Sequence, residues 1–157
     1  MRISLLTVGK TDEAYLRDGI EKYVKRLKHY TRLTLIELDD LKNAKTLTRE
    51  QQKAKEGELI LKKTTPLDHV VLLDENGSQF SSKQFAAYID KKNLGSVSHI
   101  VFVIGGPYGF DQTVYDRADD KLSLSDMTFS HQMVRLFFIE QLYRAFTIIK
   151  GEPYHHD

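Results

Sequence analysis

Residues 104–109 read IGGPYG, a doubled glycine, a proline and a third glycine placed directly after the apolar run HIVFV. Glycines at the end of a buried strand remove side chains where another group must come close to the main chain. Such a loop can lie flat against an adenine or a ribose and offer it N–H and C=O groups. Two further stretches have similar character: LLDENG at 72–77 and LSLSDMTF at 122–129, the second alternating Leu122 and Leu124 with Ser123 and Ser125 before a turn carrying Thr128. If all three end parallel strands, they converge into one slot.

Other candidate chemistry is weaker. Gly9-Lys10-Thr11 resembles the end of a phosphate-binding loop, but Ser4 stands where that loop needs its first glycine, so a strand-to-helix turn is the simpler reading. The spacing of Gly105, Gly106 and Gly109 is not the G-x-G-x-x-G of dinucleotide-binding turns. None of the six histidines forms an H-E-x-x-H pair, and adjacent His155 and His156 cannot aim both rings at one ion from one helix face. With no cysteine in the chain, thiolate catalysis, disulfides and Cys-ligated metals are excluded, and no metal is expected. Asp39-Asp40 and Asp119-Asp120 read as solvated carboxylates at loops and helix ends. Glu140, Arg144 and Thr147 are polar exceptions at i, i+4 and i+7 in an otherwise apolar segment, with Glu140 placed to orient Arg144. An arginine held at an apolar rim suits an anionic partner such as phosphate or a deprotonated base.

The elements that must hold these residues follow from periodicity. Short apolar runs at Arg2–Val8, Leu33–Leu38, His69–Leu73, His99–Ile104 and Lys121–Ser125 read as strands. Leu16, Ile20, Tyr23, Val24 and Leu27 form the stripe of a helix that Asp12 is placed to cap. Further helices are expected over Thr48–Lys63, after the capping box of Ser81 and Gln84, over Asp111–Asp119, and from Ser130, a placed N-cap, to Lys150. Alternation of strands and helices predicts an α/β fold: one domain over 1–157 with a parallel sheet of about five strands and helices on both faces. The last helix is apolar around most of its circumference, which favours a two-fold homodimer covering its outer face.

Composition bounds the function. A net charge of +1 argues against coating nucleic acid by bulk electrostatics, though not against a local basic face. No run approaches a membrane span, and MRISLLTVGK lacks a signal-peptide cleavage site, so a soluble cytoplasmic protein with no membrane partner is expected.

Taken together, VIGGPYGF, then LSLSDMTFSHQMVRLFFIEQLYRAF, then the terminal GEPYHHD closely resemble the SPOUT-class ribosomal RNA large subunit methyltransferase H family, which methylates N3 of a pseudouridine in 23S rRNA. The resemblance covers the whole chain, including the opening strand and the spacing to LLDENG. It implies a C-terminal trefoil knot, against the general rule that chains do not knot. It also implies S-adenosylmethionine held in a bent shape against Leu73, the Gly105–Gly106 turn and the loop of Leu124, Ser125, Asp126, Met127, Thr128 and Phe129. The glycines would then let backbone pack against cofactor. A homodimer is implied, with a composite RNA site in which one subunit's cofactor faces the other's C-terminal tail. Arg117, Lys121, Arg135, Arg144 and Lys150 are the basic residues assigned to that face.

Within that resemblance the reaction needs no metal, because the sulfonium already carries a good leaving group. In-line positioning and loss of the N3 proton remain for the protein. Arg144 is the expected cation favouring the imide anion, His155 or His131 the proton acceptor, and Tyr154 the residue that stacks on or hydrogen-bonds the base. The alternative is a non-catalytic α/β module that holds a nucleotide or associates with the ribosome.

Overall fold

The computed structural model describes residues 1–156 and builds the expected alternation. In chain order the elements are β1 (Arg2–Val8), α1 (Ala14–Leu27), β2 (Arg32–Leu38), α2 (Arg49–Lys62), β3 (His69–Gln79), α3 (Ser82–Leu94), β4 (His99–Ile104), α4 (Gln112–Arg117), β5 (Asp120–Ser123) and α5 (Met133–Ile149). The strands form one wholly parallel sheet in the order β2-β1-β4-β3-β5. Its central strands carry apolar side chains on both sides, because both faces are covered.

Alternate positions of each strand feed two cores. Ile3, Leu5, Phe102 and Ile104 pack with Ile20 and Leu27 of α1, Phe85 and Ile89 of α3, and Phe138 and Leu142 of α5. Leu6, Val8, Val70, Leu72, Val101 and Val103 pack on the other face with Ile60 of α2 and Val114 of α4. The period of two in the strands thus becomes three layers: α1, α3 and α5, then the sheet, then α2 and α4. The Phe102 and Phe138 rings meet at 4.7 Å in the first core, and each such buried ring contributes roughly 1.5–3 kcal/mol.

Local rules set most boundaries. Capping boxes start α2, with Thr48 and Gln51, and α3, with Ser81 and Gln84, each pair exchanging side-chain and backbone bonds. Asp12 does not cap α1: the N-cap is Glu13, without a side-chain bond. The Asp12 main chain is held instead by the residue preceding α5 and by α1 itself, its N–H donating to Gln132 Oε1 (2.9 Å) and its carbonyl accepting from Arg17 (2.9 Å). Helix α5 begins at Met133 rather than Ser130, although Ser130 Oγ still accepts from the Met133 N–H at 3.0 Å.

Strand β3 runs past its expected end at Leu73. Its pairing with β5 breaks after Leu73↔Leu122 and resumes at Ser78↔Leu122 and Gln79↔Ser123, so 74–77 bulge outward. Gly77 is required there, since a Cβ would lie 2.6 Å from the Leu122 nitrogen. No described helix is long and apolar enough to cross a membrane.

Candidate active site

The three stretches do converge. At the carboxyl ends of β3, β4 and β5 a cavity of about 750 Å³ is lined by residues of 73–76, 104–110, 122–125 and 127–131, with Val134 behind. Open α/β sheets place ligands at this edge. Of the nine residues expected to hold cofactor, Leu73, Gly105, Gly106, Leu124, Ser125, Met127, Thr128 and Phe129 line the cavity, and His131 does too. Asp126 does not; its carboxylate accepts from Gln79 Nε2 at 2.5 Å, tying the loop to the end of β3. The loop is further fixed by Ser123 Oγ donating to the Ser125 carbonyl (3.1 Å) and by the Met127 N–H donating to Ser125 Oγ (3.0 Å).

The reason for the paired glycines is more specific than close approach of a ligand. A Cβ on Gly105 would stand 2.9 Å from the Phe110 ring, and one on Gly106 would stand 2.8 Å from the Glu56 carboxylate. The protein itself occupies both Cβ directions, so the glycines serve its own packing as well as the cavity wall. Gly109, with φ of +83°, supplies the left-handed residue of the turn.

Several cavity residues were not singled out by sequence. Tyr115 of α4 donates its hydroxyl to Asp74, and burial followed by that bond pushes its pKa up to about 12. Arg49, at the start of α2, stacks over Tyr108 at 4.9 Å from the ring centroid. Lys53 reaches the same rim and pairs with Glu50 at 3.0 Å. The α2 contribution had no motif to reveal it, since only tertiary packing brings α2 under the glycine loop.

His131 sits at the junction of cavity and fold. Its carbonyl accepts from Arg135 Nε (3.1 Å), and Arg135 also donates to the carbonyls of Gly9 (2.9 Å) and Val8 (2.8 Å) and to Thr11 Oγ1 (3.1 Å). Arg135 is 1% exposed, so it cannot contact RNA, and its assignment to a basic face is corrected to a structural one. The same bonds settle the Gly9-Lys10-Thr11 turn, which offers carbonyls to a cation rather than N–H groups to a phosphate. Burial first, then the Arg135 charge, lowers the His131 pKa against opposing pulls from Asp12 and Asp40. Its imidazole is therefore neutral near pH 7.

A second cluster gathers the remaining candidates. Arg144 Nη2 donates to Glu140 Oε1 (2.5 Å), its Nη1 donates to His155 Nδ1 (3.1 Å), and its guanidinium stacks over Tyr154 at 4.8 Å. Tyr154 donates its hydroxyl to the same Glu140 oxygen at 2.9 Å, and burial with its phenol and carboxylate neighbours raises its pKa. Since a guanidinium only donates, the bond engages the Nδ1 lone pair of His155 and leaves Nε2 to carry the ring proton. Arg144 Nε is buried without a partner. Thr147 leaves the expected polar stripe: it is fully buried and donates to the Arg144 carbonyl at 2.7 Å.

None of Arg144, Tyr154 or His155 lines the cavity. Val134 and Arg144 are ten residues apart on one helix, about 15 Å along its axis. Among the other expected cations, Arg117 is held by the carbonyls of Thr65 (2.7 Å) and Asp68 (2.8 Å). Lys121 and Lys150 are exposed, Lys121 lying over the Tyr115 ring at 5.7 Å. No group of three potential metal ligands exists among the described residues.

A parallel sheet with a nucleoside-sized cavity at its carboxyl edge defines an α/β protein built around a nucleotide-like ligand. The family model "Predicted SPOUT methyltransferase" matches residues 1–155, and the chain belongs to that family of S-adenosylmethionine-dependent enzymes. Full-length relatives sharpen the placement. The chain is 58% identical over 156 residues to ribosomal RNA large subunit methyltransferase H of Christiangramia forsetii, covering 99% of each chain. It is 54% and 52% identical over 157 residues to the proteins of the same name from Parabacteroides distasonis and Bacteroides fragilis (strain ATCC 25285), covering 100% of each.

The cavity suits this cofactor. Leu73, Ile104, Leu122 and Leu124 offer apolar walls to an adenosyl group, while Asp74 and Glu75 face a ligand that carries sulfonium and ammonium charges. When bound, the cofactor supplies an activated methyl group.

Proposed function

We propose that this protein, as a single methyltransferase domain over 1–157, methylates N3 of a pseudouridine in the 23S rRNA of assembled cytoplasmic ribosomes. The observation that carries the reading is the mixed-polarity cavity at the carboxyl ends of β3, β4 and β5, in a chain similar from end to end to large-subunit RNA methyltransferases.

The separation of cavity and cationic cluster supports a two-fold homodimer. In one subunit Arg144, ten residues along α5 from Val134, and Tyr154 and His155 beyond the end of α5 do not line the cavity. A second copy packed on α5 brings its cluster to the first copy's cofactor, giving a composite site. The apolar surface for this is present: Met127 (78% exposed), Phe129, Met133 and Phe137 lie together, with the Phe129 and Phe137 rings 4.9 Å apart. The family's C-terminal trefoil knot belongs to the same proposal; it would fix the 122–131 loop and the start of α5 against the glycine turn.

In the mechanism, Arg144 favours the anionic form of the imide, with Glu140 and His155 setting its orientation. Tyr154 packs on the base. His131, neutral and in the cavity wall, accepts the N3 proton. Cavity residues Leu73, Gly105, Gly106, Leu124, Ser125, Met127, Thr128 and Phe129 would hold the cofactor, which would supply the methyl group transferred to N3. Since the protein has little net charge, shape within the ribosome supplies most of the recognition.

The test is transfer of labelled methyl from S-adenosylmethionine to assembled ribosomes, separated large subunits and free rRNA, all from cells lacking the activity. Incorporation into assembled ribosomes at one pseudouridine is expected. Tight cofactor binding with no incorporation into any of them overturns the substrate.

A further inference from the structure

Among the described residues, Glu56 is the one carboxyl the mechanism leaves unused that is both buried and next to the site. It lies on α2, 5% exposed, directly behind Gly106 of the cavity wall. Its Oε1 is buried with no hydrogen-bond partner, and its Oε2 has only the Gln52 amide at 3.4 Å. No ion pair among the described residues includes it. Lys53, one turn earlier on the same helix, is paired with Glu50 instead. A buried carboxylate with no cation and a single long donor contact is expensive, and such a site favours the protonated form.

We propose that Glu56 is a positioning residue for the cofactor cavity, its buried carboxyl setting the Gly105–Gly106 segment from behind. Three elements meet at the group. Gln52, on α2, is uncharged; the β4–α4 loop presents Gly106, also uncharged; and Asp40, after β2, brings a negative charge. Burial first raises the Glu56 pKa, the Gln52 bond opposes this, and Asp40 adds to it. Ionisation would put an unmatched negative charge against the glycine segment and push that segment toward the cavity. Cofactor affinity should therefore fall as pH rises and Glu56 loses its proton.

This inference rests on the cavity being the S-adenosylmethionine site, and the experiment separates the two. The Kd for S-adenosylmethionine is measured by calorimetry from about pH 5 to about pH 9 for wild type, Glu56→Gln, Glu56→Ala and Gly105→Val, with Tm recorded for each. Glu56→Gln, which copies the neutral acid, should bind within about threefold of wild type at low pH and keep that affinity as wild type weakens. Glu56→Ala should bind about tenfold more weakly at every pH.

Identical pH profiles for wild type and Glu56→Gln, or equal weakening in Glu56→Gln and Glu56→Ala, overturn the role of Glu56 while leaving the cavity assignment intact. Unchanged affinity in Gly105→Val means that the cofactor sits elsewhere and overturns both. If Glu56→Ala does not fold, the comparison of wild type with Glu56→Gln decides alone.

Discussion

Arg144 illustrates what single residues contribute here. Three of its neighbours hold it in one orientation, through bonds from both Nη atoms and a stack on Tyr154. Arg144→Ala should leave cofactor affinity within about threefold yet lower kcat by at least about a hundredfold, since the proposed interaction with the substrate anion strengthens toward the transition state. Near-normal turnover would withdraw its role. His131→Ala should likewise spare binding and lose turnover. Because burial and Arg135 lower the His131 pKa, the acidic limb of the kcat profile should lie below the ordinary histidine range. A limb shifted above that range would exclude His131 as the proton acceptor.

At the scale of elements, polar side chains fasten strands that hydrophobic burial alone only aligns. His99 at the start of β4 donates from Nδ1 to Asp68 (2.7 Å), and its Nε2 accepts from Ser4 of β1 (2.8 Å). This Ser-His-Asp series has the connectivity of a hydrolytic triad, but Ser4 is 5% exposed within a strand, at the edge opposite the cofactor cavity. Its role is to join β1, β4 and the segment entering β3. Burial would raise the Asp68 pKa, but the bonds from Thr65 and His99 outweigh it and the net shift is downward. A depressed carboxyl stabilises the fold above its unfolded pKa and loses that contribution as pH falls through the folded value. Urea midpoints should therefore drop on acidification below about pH 4 in wild type, and less steeply in Asp68→Asn. Equal slopes would remove Asp68 from the acid response.

The C-terminal segment shows the opposite sign. Tyr30 donates to Glu152, and that bond first, then burial, pushes its pKa from 10.0 up to about 12. A raised phenol contributes stability below pH 10.0 that is lost as pH rises toward about 12. Ultraviolet titration should show Tyr30 among several late tyrosines in wild type, with one fewer late tyrosine in Glu152→Gln; an unchanged titration would mean that Glu152 does not hold Tyr30.

For the whole molecule, the prediction concerns assembly. Phe137 is 40% exposed near the start of α5, one turn after Met133 and in contact with Phe129. Phe137→Glu should convert a dimer to monomers in light-scattering chromatography while leaving the far-ultraviolet spectrum unchanged. Methyl transfer should fall with it, because the proposed composite site draws on the other copy's Arg144 cluster. Monomeric wild type, or a fully active monomeric variant, would overturn the composite site.

How much of this was legible in sequence depends on the range of the interaction that decides each feature. Strand runs, the capping box at Ser81, the stripe of α1 and the convergence of three strand-end loops were readable, because period and cap chemistry act within a few residues. Composition also excluded cysteine chemistry outright. Tertiary structure alone decided what fills the space behind Gly105 and Gly106, why Asp12 caps nothing, and that Arg135 is a buried clamp rather than an RNA contact. In each case the partner lies far away in the chain, and a side chain's burial depends on packing that no local pattern records. The residue types available to the site follow from the sequence by itself; only the folded sheet, by bringing α2, β4 and α5 together at one edge, decided which of them face the cavity.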